Sequence, residues 1–204
     1  MTAARRPRRA LAAAALMGVV LVLGACANQQ PGAAATLGDS RISEQQLAAH
    51  VQDILVAQGK PVDTPDASMT SLALGRMIVI DLVDTLAERE GVEVSQGRID
   101  EQLATYVAQS GDQAAMEATF VEQSVAPSQI ESVIRLNIQA QDLGVALNPD
   151  GTAEEQGQAV FAAVGALSDE LDVTVSPRFG TWDTATLQVG PVPDDLSTPP
   201  LLQQ

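Results

Sequence analysis

Cysteine and histidine occur once each in these 204 residues, as Cys26 and His50. A lone thiol forbids any intramolecular disulfide, and one imidazole with one thiol cannot supply an ordinary zinc site. Aromatic residues are nearly as scarce, at three Phe, one Tyr and one Trp. The interior must therefore be packed from Leu, Ile, Val, Ala and Met, as helical bundles commonly are. Basic residues number 11 against 26 acidic ones. Without clustered Lys and Arg to neutralise phosphates, nucleic acid is not an expected partner. No apolar run is long enough to be a permanent membrane span: residues 10–23 give about 14 residues, where a spanning helix needs roughly 20. Phosphate-loop, calcium-loop and nucleophile-elbow spacings are also missing. Any Ser-His-Asp arrangement would have to use His50, which follows a helical apolar face beside Val51 and reads as a surface or half-buried structural residue. No catalytic or metal site is expected, and the chain does not read as an enzyme.

What is present begins at the N-terminus. Arg5, Arg6, Arg8 and Arg9 precede the apolar run, and small residues close it, the layout of an export signal. Leu23-Gly24-Ala25-Cys26 resembles the lipobox of bacterial lipoproteins at all four positions. The resemblance implies cleavage before Cys26 and a diacylglyceryl group on its sulfur, which would also remove the free thiol from Cys–His chemistry. This covalent lipid is the only attached group expected; no cofactor is. Four of the 11 basic residues lie within the first 25 and all 26 acidic ones lie beyond, so the remaining 7 leave a charge of −19 from Cys26 onward. An anionic membrane surface would repel such a chain. Two or more acyl chains, at about 0.8 kcal/mol per buried methylene, would hold it. The expected location is the extracytoplasmic face of the cell membrane.

Past a short tether at residues 26–35, helical patterns follow one another. Ser43 with Gln46 forms a capping box, and Ile42 with Leu47 a hydrophobic staple. Leu47, Val51, Ile54 and Leu55 then mark one face at 3.6-residue spacing. The same design is expected to restart at Ser95, with Val94 and Ile99 as staple and Leu103, Tyr106 and Val107 continuing the face. A third start is read at Val125, with Pro127 in the first turn and Ile130, Val133, Ile134 and Ile138 following. Thr64-Pro65-Asp66 should open the longest helix, running to about Arg89 and ending at Gly91. Its middle, Leu72 to Leu86, is apolar on most sides, predicting the central, most buried helix. A shorter helix is expected around Met116 and Phe120, and a last one after the turn at 148–151, with Val160, Val164, Leu167 and Leu171 on one face and Phe161 beside it.

Leu171, Val173 and Val175 alternate with polar residues, which is strand spacing. Their expected partner is the stretch before Gly38-Asp39, giving a two-stranded ribbon that joins the two ends of the fold. The fold class is thus mainly all-α, a helical bundle with a small ribbon over residues 36–183, followed by a Pro- and Asp-rich tail at 184–204 read as disordered. Asp81 and Asp84 share a face of the long helix as partners for Arg76 or as a solvated edge. Met69, Met77 and Met116 either fill the core or offer a pliable surface. Arg178, Phe179 and Trp182 either seal the ribbon by cation–π and aromatic packing or contribute to a binding surface.

Leu37-Gly-Asp-Ser-Arg-Ile-Ser-Glu-Gln-Gln-Leu47 resembles the opening of SurA/PrsA-like extracytoplasmic chaperones, and Glu90-Gly-Val-Glu-Val-Ser-Gln-Gly-Arg-Ile99 the link between their second and third helices. Residues 120–143 are similar to a later helix of that family, so the resemblance spans about residues 36 to 143. It implies a SurA N-terminal-like core that holds exported proteins. Too few residues follow Leu143 for an inserted parvulin domain, so isomerase activity is not expected. The implied function is non-catalytic holding of unfolded or nascent exported proteins. The alternative is a structural adaptor lipoprotein that binds one folded envelope partner.

Overall fold

The computed structural model describes residues 32–63 and 66–193. Cys26, Leu23, Gly24 and Ala25 lie outside them, as do Thr64, Pro65 and residues 194–204. The described chain is mainly helical, with short antiparallel strands at its two ends. Strand β1 (Ala33–Leu37) turns at Gly38, whose φ of +57° suits glycine, into β2 (Ser40–Ser43). Helix α1 (Glu44–Ala57) starts from the expected capping box: Gln46 N–H donates to Ser43 Oγ at 3.1 Å, and Ser43 N–H to Gln46 Oε1 at 2.8 Å. Ile42 and Leu47, the staple pair, are both buried in the main core.

Helix α2 (Ala67–Glu90) is the central element, and Ala73, Leu74, Ile78 and Leu82 are fully buried along it. Asp66 caps it by accepting from Met69 N–H at 2.6 Å. At the other end Gly91 takes a left-handed conformation and Val92 N–H reaches back to the Ala87 carbonyl at 2.8 Å, a Schellman closure. Helices α3 (Gln96–Ser110) and α4 (Gln113–Glu122) form a hairpin, and a 3₁₀ turn at Pro127–Gln129 leads into α5 (Ile130–Leu147). Helix α6 (Ala153–Glu170) follows after a second capping box, between Thr152 and Glu155. Two cores result. The main one gathers α1, α2, α6, the latter half of α5 and the β1–β2 hairpin. A smaller one holds Ile99, Met116, Val125, Ile130, Ile134 and Ile138 between α3, α4 and the first half of α5. Met69 and Met116 are buried and Met77 packs against the main core, so the methionines fill space.

Several expectations are corrected. The ribbon joining the two ends exists, as β1 paired with β3 (Thr174–Val175) through Ala35↔Val175 and Thr36↔Thr174, but it is part of a three-stranded sheet in the order β2-β1-β3, with β1 in the middle. Ala33–Ala35, read as tether, therefore belongs to the central strand, where Ala34 and Ala35 are buried because small side chains let the sheet lie close on the helices. Residues 184–189, read as tail, instead form a second ribbon, β4 (Trp182–Asp183) with β5 (Gln188–Val189). Asp183 holds its turn by accepting from Ala185 N–H and Thr186 Oγ, each at 2.9 Å. Ser95 precedes α3 in extended conformation but makes no side-chain cap bond. The third helical residue there is Arg98, which has no acceptor to complete a reciprocal box; Val94 and Ile99 still pack into one cluster. Among the described residues no helix is long and apolar enough to cross a membrane.

Candidate binding groove

An open groove of about 860 Å³ runs between the outward face of α2 and the β5 end of the second ribbon. The floor is Ser68, Leu72, Gly75 and Val79, spaced by three and four residues so that they fall on one helical face. The wall is Leu187 to Val192. At Gly75 the ribbon rides directly on the helix: a Cβ there would lie 3.6 Å from the Val189 backbone nitrogen. Leu72 is 51% exposed and Val192 is also exposed, so the groove offers solvent an apolar surface that no described residue covers. Arg76 supplies one charge at its margin. The other exposed large apolar residues, Val56, Val62, Val145 and Phe161, lie away from it.

Arg178, Phe179 and Trp182 stand just before this wall, and none of them lines the groove. The Arg178 guanidinium sits 5.0 Å from the Phe179 ring centroid and pairs with Glu44 at 2.9 Å, bridging the ribbon to α1. Trp182 Nε1 donates to the buried Ser168 Oγ at 2.6 Å, and Ser71 Oγ donates to the Phe179 carbonyl at 3.1 Å. Gly180, with φ of +128°, passes so near Gly190 that a Cβ would collide with its carbonyl oxygen. The cluster thus fastens the ribbon that makes the groove.

A polar seam lies where α1 and α2 meet the end of α4. Arg76 donates to the carbonyls of Ser124 at 2.5 Å and Gln123 at 3.1 Å, placing a cation on the helix C-terminus where the dipole favours one. Gln58 Nε2 donates to the Val121 carbonyl and Ser124 Oγ at 3.1 and 3.3 Å. Gln129 Nε2 donates to the His50 carbonyl at 3.0 Å, and Ser128 Oγ to Asp53 at 2.9 Å. His50 Nε2 is buried with no hydrogen-bonding partner among the described residues. Burial first, and the Arg76 charge second, hold the imidazole below its usual pKa, while Asp53 pulls the other way. Arg76 is therefore not the partner of Asp81 or Asp84, because the α4 carbonyls take its donors. Asp84 instead accepts from Gln139 Nε2 at 2.8 Å. Burial, then the neighbouring Asp84, pushes the Asp81 carboxyl above the usual range.

Among the described residues no three His, Cys, Asp or Glu side chains converge as metal ligands would. The groove residues had one sequence signal: the stretch from Leu72 is apolar on more sides than a single core can cover, so one face must turn outward. The chain matches no family model, no curated protein and no solved structure.

Proposed function

We propose that the chain is a lipid-anchored, extracytoplasmic holding module that binds apolar segments of exported proteins reversibly and without catalysis. The observation that carries this reading is the α2–β5 groove, apolar, open and lined by ordered elements. Its volume falls within the range of small-ligand pockets, about 300–1,000 Å³, room for a few side chains of one extended segment. Binding would release ordered water from Leu72, Val79 and Val192 and would need no nucleotide. The lipobox-like Leu23-Gly24-Ala25-Cys26 supports attachment through Cys26, and the resemblance of residues 36 to 143 to SurA/PrsA-like chaperones supports holding rather than turnover. The test uses the chain from Ala27 to Gln204, with Leu72→Asp as the comparison. The unsubstituted protein is expected to slow aggregation of an unfolded exported protein. Leu72→Asp is expected to lose that effect while melting at the same temperature, since Leu72 is half exposed. Equal protection by both proteins, or by neither, rejects the reading.

A second reading, an adaptor for one folded envelope partner, is favoured by the other exposed apolar residues being scattered away from this groove. Crosslinking in cells from position 72 separates the two. A spread of clients supports holding, and one stoichiometric partner supports the adaptor.

A further inference from the structure

The α3–α4 hairpin shares a small core with the first half of α5, and the polar seam ties its exit turn to α1 and α2. Two features make that tie conditional. Ser124 is held at φ of +58°, a left-handed conformation unfavourable for a residue with a side chain; Arg76 and Gln58 both bond to it. His50 Nε2 and Gln58 Oε1 are each buried without a hydrogen-bonding partner among the described residues. A neutral imidazole tolerates an unused acceptor, but a protonated one would bury an N–H without an acceptor and a charge near Arg76. The groups facing His50 are Arg76 from α2 and Asp53 from its own helix, while the 3₁₀ turn contributes only the uncharged Ser128 and Gln129. Asp53 is already engaged by Ser128.

We propose that His50 is an acid-sensitive pin: when Nε2 takes up a proton from solvent, Arg76 is repelled, the Gln123–Ser124 turn is released, and the end of α4 moves away from α1. Only proton binding is involved, and neutralisation reverses the movement.

Lys60 at the end of α1 and Glu117 on α4 line opposite sides of one shallow trough across this seam, which makes them suitable sites for a pair of spin labels. The chain from Ala27 onward keeps every described residue and lacks the only cysteine, so Lys60→Cys and Glu117→Cys label cleanly. As pH is lowered from about 7.5 to below the range in which ordinary imidazoles titrate, since burial and Arg76 hold the His50 pKa down, the label separation is expected to grow by at least ~5 Å, one helical turn. Helix content by circular dichroism should stay constant. As the only histidine, His50 titrates alone in the NMR spectrum, and its midpoint should coincide with that of the distance change. His50→Gln should stay closed throughout. The proposal is overturned by a separation that does not change, by a midpoint that departs from the His50 titration, by opening that persists in His50→Gln, or by loss of helix alongside it. Should His50→Gln not fold, the coincidence of midpoints in the unsubstituted protein decides.

Discussion

Single residues in this molecule are set by their neighbours more than by their type. Asp81 and Asp84 are three apart on one helix, yet Asp84 finds a donor in Gln139 and Asp81 is left half-buried beside a second carboxylate. Its carboxyl holds its proton more tightly in the folded chain than in the unfolded one. The stability this contributes is complete below the ordinary pKa of 3.8 and is lost as pH rises through the higher folded value. Asp81→Asn, which cannot ionise, is therefore expected to melt ~1–3 °C higher than the unsubstituted protein at neutral pH. The gap should close toward pH 3, as followed by thermal melts across pH. Gly180 answers to geometry alone. Gly180→Ala meets both a strained φ and the Gly190 carbonyl, with an expected loss of about 2–4 kcal/mol in urea unfolding. Position 180 carries no sequence signal that separates it from other loop glycines, because its constraint comes from a chain segment ten residues away.

At the scale of elements, helix starts were readable where both partners of a cap were written locally. Ser43 with Gln46 closes a box, and Asp66 caps α2, because each needs only a residue three positions on. Ser95 looked equivalent and is not, since Arg98 cannot return the bond. Ser43→Ala is accordingly expected to cost ~1 kcal/mol and Ser95→Ala less than ~0.5 kcal/mol, a contrast that paired denaturant titrations would reveal. The strands were harder. β3 showed in the alternation of Val173 and Val175, but β4 and β5 are two residues each, below the length at which a period can be read. Their placement comes from Trp182 bonding to Ser168 and from Val189 resting on Gly75, contacts with distant residues. The groove shares that fate. Its floor lies in the apolar run of α2, while its wall falls in a stretch whose Pro- and Asp-rich composition predicts a disordered tail. Ending the chain after Asp183 is expected to strip the wall, lower the melting temperature by several degrees and raise binding of a hydrophobic dye to the exposed floor of α2.

The molecule as a whole is unevenly stable. α2 contributes eight buried residues to the main core, whereas α3 and α4 contribute one each to the small one. Regions with few buried apolar contacts open at a lower free energy than the global transition. Amides of α3 and α4 are therefore expected to exchange with solvent deuterium at neutral pH at least ~10-fold faster than those of α2, outside the fraying ends. Uniform protection across the three helices would contradict a two-core organisation. Much of this is legible in broad terms: six helical segments, the longest of them buried, and ends that meet. The division into two cores is not, because α5 carries one continuous apolar face whose halves, Ile130–Ile138 and Leu143, serve different neighbours.

The pairing of β1 with β3 sets an order of events. Thr36 and Thr174, whose hydroxyls meet at 2.7 Å, are 138 residues apart in the chain. In any process that presents the polypeptide N-terminus first, β1 can join β2 at once, because only two residues separate them. Its other edge stays unpaired until nearly the whole of the helical sequence has emerged. Closure across so long a loop is slow, and an unpaired edge beside a half-built core invites association with other chains. The last short strand is thus the piece that ends this vulnerable interval. Truncations that remove β3 should be felt first as poor yield of soluble protein, before any loss of what the finished fold can bind.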